Sequence, residues 1–248
     1  MRIRIADLHT EEITTTLRPV TNPGMRRWVE RAWTKSLDFL TEARFSKDAK
    51  EIRADQGPIR DYPSTLGSLL TRKSHRSFPN LPLEASRVKK CIRAFWRGLP
   101  FGTTIDEQTL FLICVVYNVE GLTPGVYRAL PCGELTLVRE GNFRSQISVD
   151  IAGMATSLSA NFSLFICVDF EKFLSSMNLG SLALRKAYYY AGICAQRILV
   201  AGVELNIQGV PTPALSDRPM TRLLGLQEST CVPIYSITMG KVFSNVGQ

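Results

Sequence analysis

The sequence predicts an α+β layered domain. Three observations carry that expectation. Residues 109–117, 161–168 and 231–239 are apolar runs rich in Val, Ile and Phe, short enough for buried strands. Ala85, Val88, Cys91, Ile92, Phe95 and Trp96 recur at helical spacing, as do Ala187, Ala191, Ala195 and their neighbours in residues 185–203. The helical segments lie before, between and beside the strands, the pattern of helices layered on a sheet.

Taken in order, residues 1–60 read as an N-terminal helical extension and 61–248 as the main domain. In the extension, Met25, Trp28, Val29, Ala32, Trp33, Leu37 and Leu40 share helical spacing after the stop Asn22-Pro23-Gly24. Leu66, Leu69 and Leu70 close a short helix, and Asn80-Leu81-Pro82-Leu83-Glu84 is a turn leading into the helix through Phe95. Residues 98–108 read as a loop and 118–124 as a turn. Residues 125–128 and 134–139 form a predicted hairpin around Pro131-Cys132-Gly133. Residues 145–158 are expected to be one helix, and 185–203 the longest one. Small residues along the latter let another backbone approach, which suits a core helix or a dimer seam. Residues 205–215, bearing Gly209, Pro211 and Pro213, read as a loop. Ser216-Asp217-Arg218-Pro219 resembles an N-cap and first turn of a helix that ends at Gly225.

Composition narrows the function classes. The 248 residues are 45% hydrophobic and 21% charged, an ordinary globular balance. The net charge of +8 favours an anionic partner, such as a phosphate-bearing cofactor or an acidic substrate. No long Lys/Arg block or nucleic-acid motif accompanies it, so nucleic acid is not expected. The six cysteines form no C-x-x-C pair and are expected to be reduced, small buried hydrophobes. With only His9 and His75, a histidine metal site or a Ser-His-Asp triad is hard to build. Residues 1–7 lack the apolar core of a signal peptide, and residues 187–203 fall short of the ~20 apolar residues of a bilayer span. The expectation is a soluble, cytoplasmic protein without a membrane partner.

The chemistry-bearing stretch is Arg72-Lys73-Ser74-His75-Arg76-Ser77-Phe78, directly after a helical run. Guanidinium forks match phosphate oxygens in bidentate geometry, and a serine hydroxyl serves a further oxygen. A solvated basic turn is the bland alternative, because short basic motifs match often by chance.

Four stretches, in order, resemble the FMN-dependent nitroreductase superfamily, and most nearly its SagB-type dehydrogenases. Arg72 to Phe78 matches the opening R-x-S-x-R-x-F motif. Val119-Glu120-Gly121-Leu122-Thr123-Pro124-Gly125-Val126-Tyr127 is similar to the segment V-x-G-L-x-P-G-x-Y. Arg185-Lys186-Ala187, Ala191-Gly192, Ala195-Gln196 and Ala201-Gly202 resemble the central helix. Leu223-Leu224-Gly225-Leu226, Val232-Pro233-Ile234-Tyr235 and Met239-Gly240-Lys241 resemble the C-terminal end. The resemblance implies a nitroreductase-like layered fold, a central, mostly antiparallel sheet flanked by helices, and a dimer with FMN at the interface. Arg72, Ser74 and Arg76 would meet the phosphate, with Lys241 closing from the C-terminal end, and the flavin ring would lie near Thr212, Pro213 and Ala214.

Two positions depart from the family pattern. Asn178 and Leu179, before Gly180, stand where SagB-type enzymes carry a Lys-Tyr acid/base pair. Thr103-Thr104-Ile105-Asp106 stands where the family has P-S-x-G, so that Thr104 would replace the serine hydroxyl beside the cofactor. Two functions therefore remain open. One is an FMN-dependent dehydrogenase oxidising azoline-type rings, or a related peptide bond system, in a ribosomally made peptide. The other is a catalytically degenerate scaffold or binding subunit of a peptide-modifying complex. The implied partners are a second copy or a paralogue, the peptide substrate and a cyclase subunit.

Overall fold

The computed structural model describes residues 66–96, 108–177, 182–227 and 230–243. The N-terminal extension with Trp28 and Trp33, the 103–106 segment with Thr104, and the pair Asn178-Leu179 lie outside the described residues.

The helices are α1 (Leu66–Thr71), α2 (Ala85–Trp96), α3 (Arg144–Asp150), α4 (Thr156–Ser159), α5 (Phe170–Met177), α6 (Leu182–Glu204) and α7 (Asp217–Leu223). The strands are β1 (Leu83–Glu84), β2 (Leu110–Val116), β3 (Val119–Glu120), β4 (Gly125–Ala129), β5 (Leu135–Glu140), β6 (Phe162–Asp169), β7 (Ile207–Thr212) and β8 (Cys231–Lys241). Six strands form one sheet in the order β5-β4-β2-β6-β8-β7. Every neighbouring pair in it is antiparallel. A small parallel pair, β1 with β3, stands apart. The α+β class and the antiparallel sheet flanked by helices are thus observed.

The two central strands explain the layering. Every residue of β2 and β6 is buried, so both faces of the sheet must be covered. Alternation divides their side chains between two cores. Leu112, Cys114, Leu164 and Ile166 face α2 and α6, and Phe111, Ile113, Phe165 and Cys167 face α3 and α7. On α6, Ala183, Ala187, Ala191, Cys194 and Ala195 are buried, and these short side chains bring the helix close to the sheet. On the other face Ile147, Ile151, Met220, Leu223 and Leu224 close the second core.

Three expectations are corrected. Residues 205–215 are not simply a loop, because 207–212 form β7, with Gly209 opposite Met239 and Pro211 opposite Ile237. Gly and Pro depress strand propensity, yet β7 is the edge strand, where a missing N–H donor is tolerated. Residues 145–158 are two short helices rather than one, since Ala152 (φ 60°) and Gly153 (φ 72°) are left-handed and break the chain between α3 and α4. Cys132 is exposed and Cys231 half-buried, whereas Cys91, Cys114, Cys167 and Cys194 are buried as expected. Burial pushes the Cys91 thiol up to about 12, which makes it an inert core group.

A further set of contacts fixes the chain between α1 and β1. The Phe78 ring packs over Gly240, where an added Cβ would stand 2.5 Å from Phe78 Cγ. The Phe78 N–H donates to Ser159 Oγ at 3.1 Å. Below them lies Asn161, 1% exposed. Its Nδ2 donates to Leu81 O (2.7 Å) and Asn118 O (2.8 Å), and its Oδ1 accepts the Lys241 N–H at 2.8 Å. Its backbone N–H donates to Met239 O, and its carbonyl accepts the N–H groups of Tyr117 and Asn118.

Gly240→Ala is expected to push Phe78 off the sheet and to lower the unfolding free energy by about 1–3 kcal/mol, the usual cost of overpacking. Urea denaturation monitored by circular dichroism measures it, and an unchanged midpoint would contradict the close fit.

Candidate functional site

The opening basic motif begins where α1 ends. The Arg72 N–H still bonds the carbonyl of Ser68, and Ser68 Oγ donates to Glu204 Oε1 at the far end of α6, so the helix is tied down before the motif starts. The chain then runs alongside β7. The Lys73 N–H donates to Gln208 Oε1 at 3.2 Å, and Ser74 forms a parallel bridge with Gly209. Arg72 Nη1 lies 3.5 Å from Ser74 Oγ, so these two expected phosphate ligands stand side by side. Arg76, two residues after Ser74, is exposed, just before Phe78 anchors on Gly240.

Lys241 ends β8 opposite Ile207. Directly opposed residues of an antiparallel pair share a face, so Lys241 lies on the face of Ile207, Gly209 and Met239. The Glu84 carboxyl, held below its usual range first by its hydrogen bond to Arg87, is lowered further by Lys241. The structure therefore brings Arg72, Ser74 and Lys241 to one end of the β7–β8 pair. Among the described residues, Arg72, Lys73 and Arg76 form no salt bridge, whereas Arg87, Lys89 and Lys172 are paired with Glu84, Glu134 and Asp169. Lys241 has the Glu84 carboxyl in its field, whereas Arg72, Lys73 and Arg76 carry no carboxylate partner among the described residues, and such cations are donors a phosphate dianion requires.

Thr212, Pro213 and Ala214 lie at the other end of β7. Thr212 is buried, and its Oγ1 accepts the Ala214 N–H at 3.1 Å, while its carbonyl accepts Ser236 Oγ at 3.4 Å. These bonds shape the turn that presents the exposed Pro213 and Ala214. Thr212 lies three residue steps along the strand from Gly209, about 10 Å at the rise of an extended chain. An extended ribityl chain spans a gap of that order, so the donor set and the spacing fit FMN.

The sequence did not reveal the groups that hold this arrangement. Gln208 and Asn161 sit in segments read as loop and strand start, with no motif to mark them. Asp150 is a further one. Its carbonyl accepts the Ser216 N–H at 2.8 Å, anchoring the far side of the 213–216 turn. Its Oδ2 is buried without a hydrogen-bond partner among the described residues, and burial raises its pKa. Near the same turn, partial desolvation and then Asp217 raise the Tyr188 phenol above its ordinary value.

No protein-family model matches the chain, and no curated protein matches it. Solved structures do. A protein from Anabaena variabilis described as a nitroreductase superposes with a TM-score of 0.60 at 20% identity, covering 71% of this chain and 37% of that one. A chain of the Escherichia coli microcin synthetase McbBCD complex with truncated pro-MccB17 bound gives a TM-score of 0.58 at 15% identity, over 96% of this chain and 99% of that one. The NADPH:FMN oxidoreductase of Vibrio harveyi, complexed with NAD+, gives 0.53 at 18% identity, over 73% and 70%. At these identities the likeness establishes the fold: the chain has a nitroreductase-like architecture. Among the described residues no helix is long and apolar enough to cross a membrane.

Asp150→Asn is expected to stabilise the protein at pH 7. A carboxyl whose folded pKa lies above its ordinary 3.8 binds more protons folded than unfolded, so wild-type stability falls as pH rises through that interval. The gain in melting temperature of the variant should therefore be full at neutral pH and vanish below the ordinary carboxyl pKa. A gain independent of pH would show that charge burial is not its cause.

Proposed function

We propose that this chain is an FMN-dependent dehydrogenase of the SagB type, acting on a ribosomally made peptide and oxidising azoline-type rings or a related peptide bond system. One observation carries the reading. Two motifs far apart in sequence, Arg72 to Phe78 and Met239 to Lys241, meet through the Phe78–Gly240 contact. They leave Arg72, Lys73 and Arg76 without a salt bridge among the described residues, with Lys241 at the same end of β7 and the Thr212–Ala214 turn at the other. The likeness to a chain of a peptide-modifying synthetase over nearly its whole length supports a peptide substrate. The +8 charge supports an anionic ligand.

In this reading FMN, when bound, supplies the two-electron acceptor chemistry. The protein's share is to hold and orient. Arg72, Ser74, Arg76 and Lys241 hold the phosphate, and the 212–214 backbone faces the ring. Thr104 would add a hydroxyl from the 98–108 segment. The second subunit is another copy or a paralogue, and a cyclase subunit supplies the azoline.

A second reading is a scaffold subunit of such a complex that has lost catalysis. Asn178 and Leu179 favour it, because neither side chain transfers protons where the family carries Lys and Tyr. Flavin binding without peptide oxidation would select this reading over the first.

Purified protein should show flavin absorption bands that dithionite bleaches, alone or after FMN is added. Arg72→Ala with Arg76→Ala should weaken FMN binding by about a hundredfold or more, since a charge-assisted contact contributes ~1.5–3 kcal/mol and ~1.4 kcal/mol is tenfold. Normal flavin content in the double variant would sink the phosphate assignment.

A further inference from the structure

We propose that Asn161 is a positioning residue for the anion end of the site, and that it sets the preference for a phosphorylated flavin over its dephosphorylated form. The inference rests on the FMN reading above and deepens it.

The cationic groups arrive from two directions, Arg72, Lys73 and Arg76 on the chain before β1, and Lys241 at the end of β8. One buried side chain grips both. Asn161 Nδ2 holds Leu81 O at 2.7 Å, which fixes the downstream end of the basic segment. Its Oδ1 holds the Lys241 N–H at 2.8 Å, which fixes the height of Lys241 along β8. The same Nδ2 holds Asn118 O, whose residue in turn donates Nδ2 to Asn80 O at 3.2 Å. A primary amide does this and few other side chains can, because two donors and one acceptor must diverge from one planar group. No hydrogen bond among the described residues joins Asn161 to Thr212, Pro213 or Ala214, whose turn is held by Thr212 Oγ1 and Ser236. The ring end of the site is thus independent of it, and the phosphate end is not.

This separation gives a readout that a merely structural role would not move. Dissociation constants for FMN and for riboflavin are measured by flavin fluorescence on wild type and on Asn161→Ser. Wild type should bind FMN about tenfold or more tighter than riboflavin, because only FMN reaches the charge-assisted contacts. In Asn161→Ser the ratio should fall to about threefold or less while the riboflavin constant stays within about twofold. Ser159→Ala removes the acceptor of the Phe78 N–H, loosens the same segment more gently, and should lower the ratio in the same direction. It decides the matter if Asn161→Ser does not fold. An unchanged ratio in the folded variants, or an equal loss for both flavins, overturns the assignment and leaves FMN binding standing. A wild type that binds neither flavin overturns the FMN reading and this assignment with it.

Discussion

The structure depends on one buried amide whose every polar atom is used. Asn161 stands where β6 begins, and through it the ends of β2 and β8 and the chain before β1 are joined. An unpaired amide there would cost several kcal/mol, so a polar group at 1% exposure survives only because its bonding is complete. That completeness is cooperative. Each bond polarises the next in a poorly screened interior, and loss of one partner strands the others. A hydrophobic residue of similar size would fill the space but leave the carbonyls of Leu81 and Asn118 and the Lys241 N–H without their side-chain partner.

Around this point the packing is asymmetric, and the asymmetry serves the site. One face of the sheet carries the long helix α6, drawn in by Ala187, Ala191 and Ala195. The other carries short helices and a row of buried hydroxyls. Tyr117 Oη donates to Ser163 Oγ at 2.9 Å, and Ser163 Oγ meets Thr238 Oγ1 at 3.1 Å. Arg144 lies over the Tyr117 ring at 4.9 Å and donates to the carbonyls of Ser157 and Leu158, tying α3 to α4 where the left-handed residues interrupt them. The short helices thus hold Ser159 against the Phe78 N–H, and so reach the basic segment as well.

What was legible in the sequence was what repeats. The strands β2, β6 and β8 announced themselves by apolar runs, the β4–β5 hairpin by Pro131-Cys132-Gly133, with Gly133 at φ 89°, and α2 and α6 by spacing. The edge strand β7 was illegible, because Gly209 and Pro211 are poor strand formers and only pairing with β8 makes them one. The break between α3 and α4 was hidden because Ala152 carries no signal for a left-handed backbone. The basic cluster was visible as chemistry, but not its fixation, since Asn161 and Gln208 belong to no local pattern. Their partners lie 43 to 135 residues away in the chain. Local propensity is silent about such contacts.

The bridge between Ser74 and Gly209 has a consequence for solubility. A sheet ends in two rows of unpaired peptide groups, each a template on which another chain can add. On the β7 side the basic segment lies against that row and occupies it at Gly209. On the β5 side the outer strand exposes Leu137 (46%) and Val138 (49%), relieved by Arg139, Glu140 and the register shift opposite Val126 and Tyr127. The two borders are therefore guarded differently, one by a covering strap and one by charge and distortion. Displacing the strap would do more than scatter cations: it would open a hydrogen-bonding margin beside Val210 and Pro211, and turn a binding defect into a tendency to self-associate.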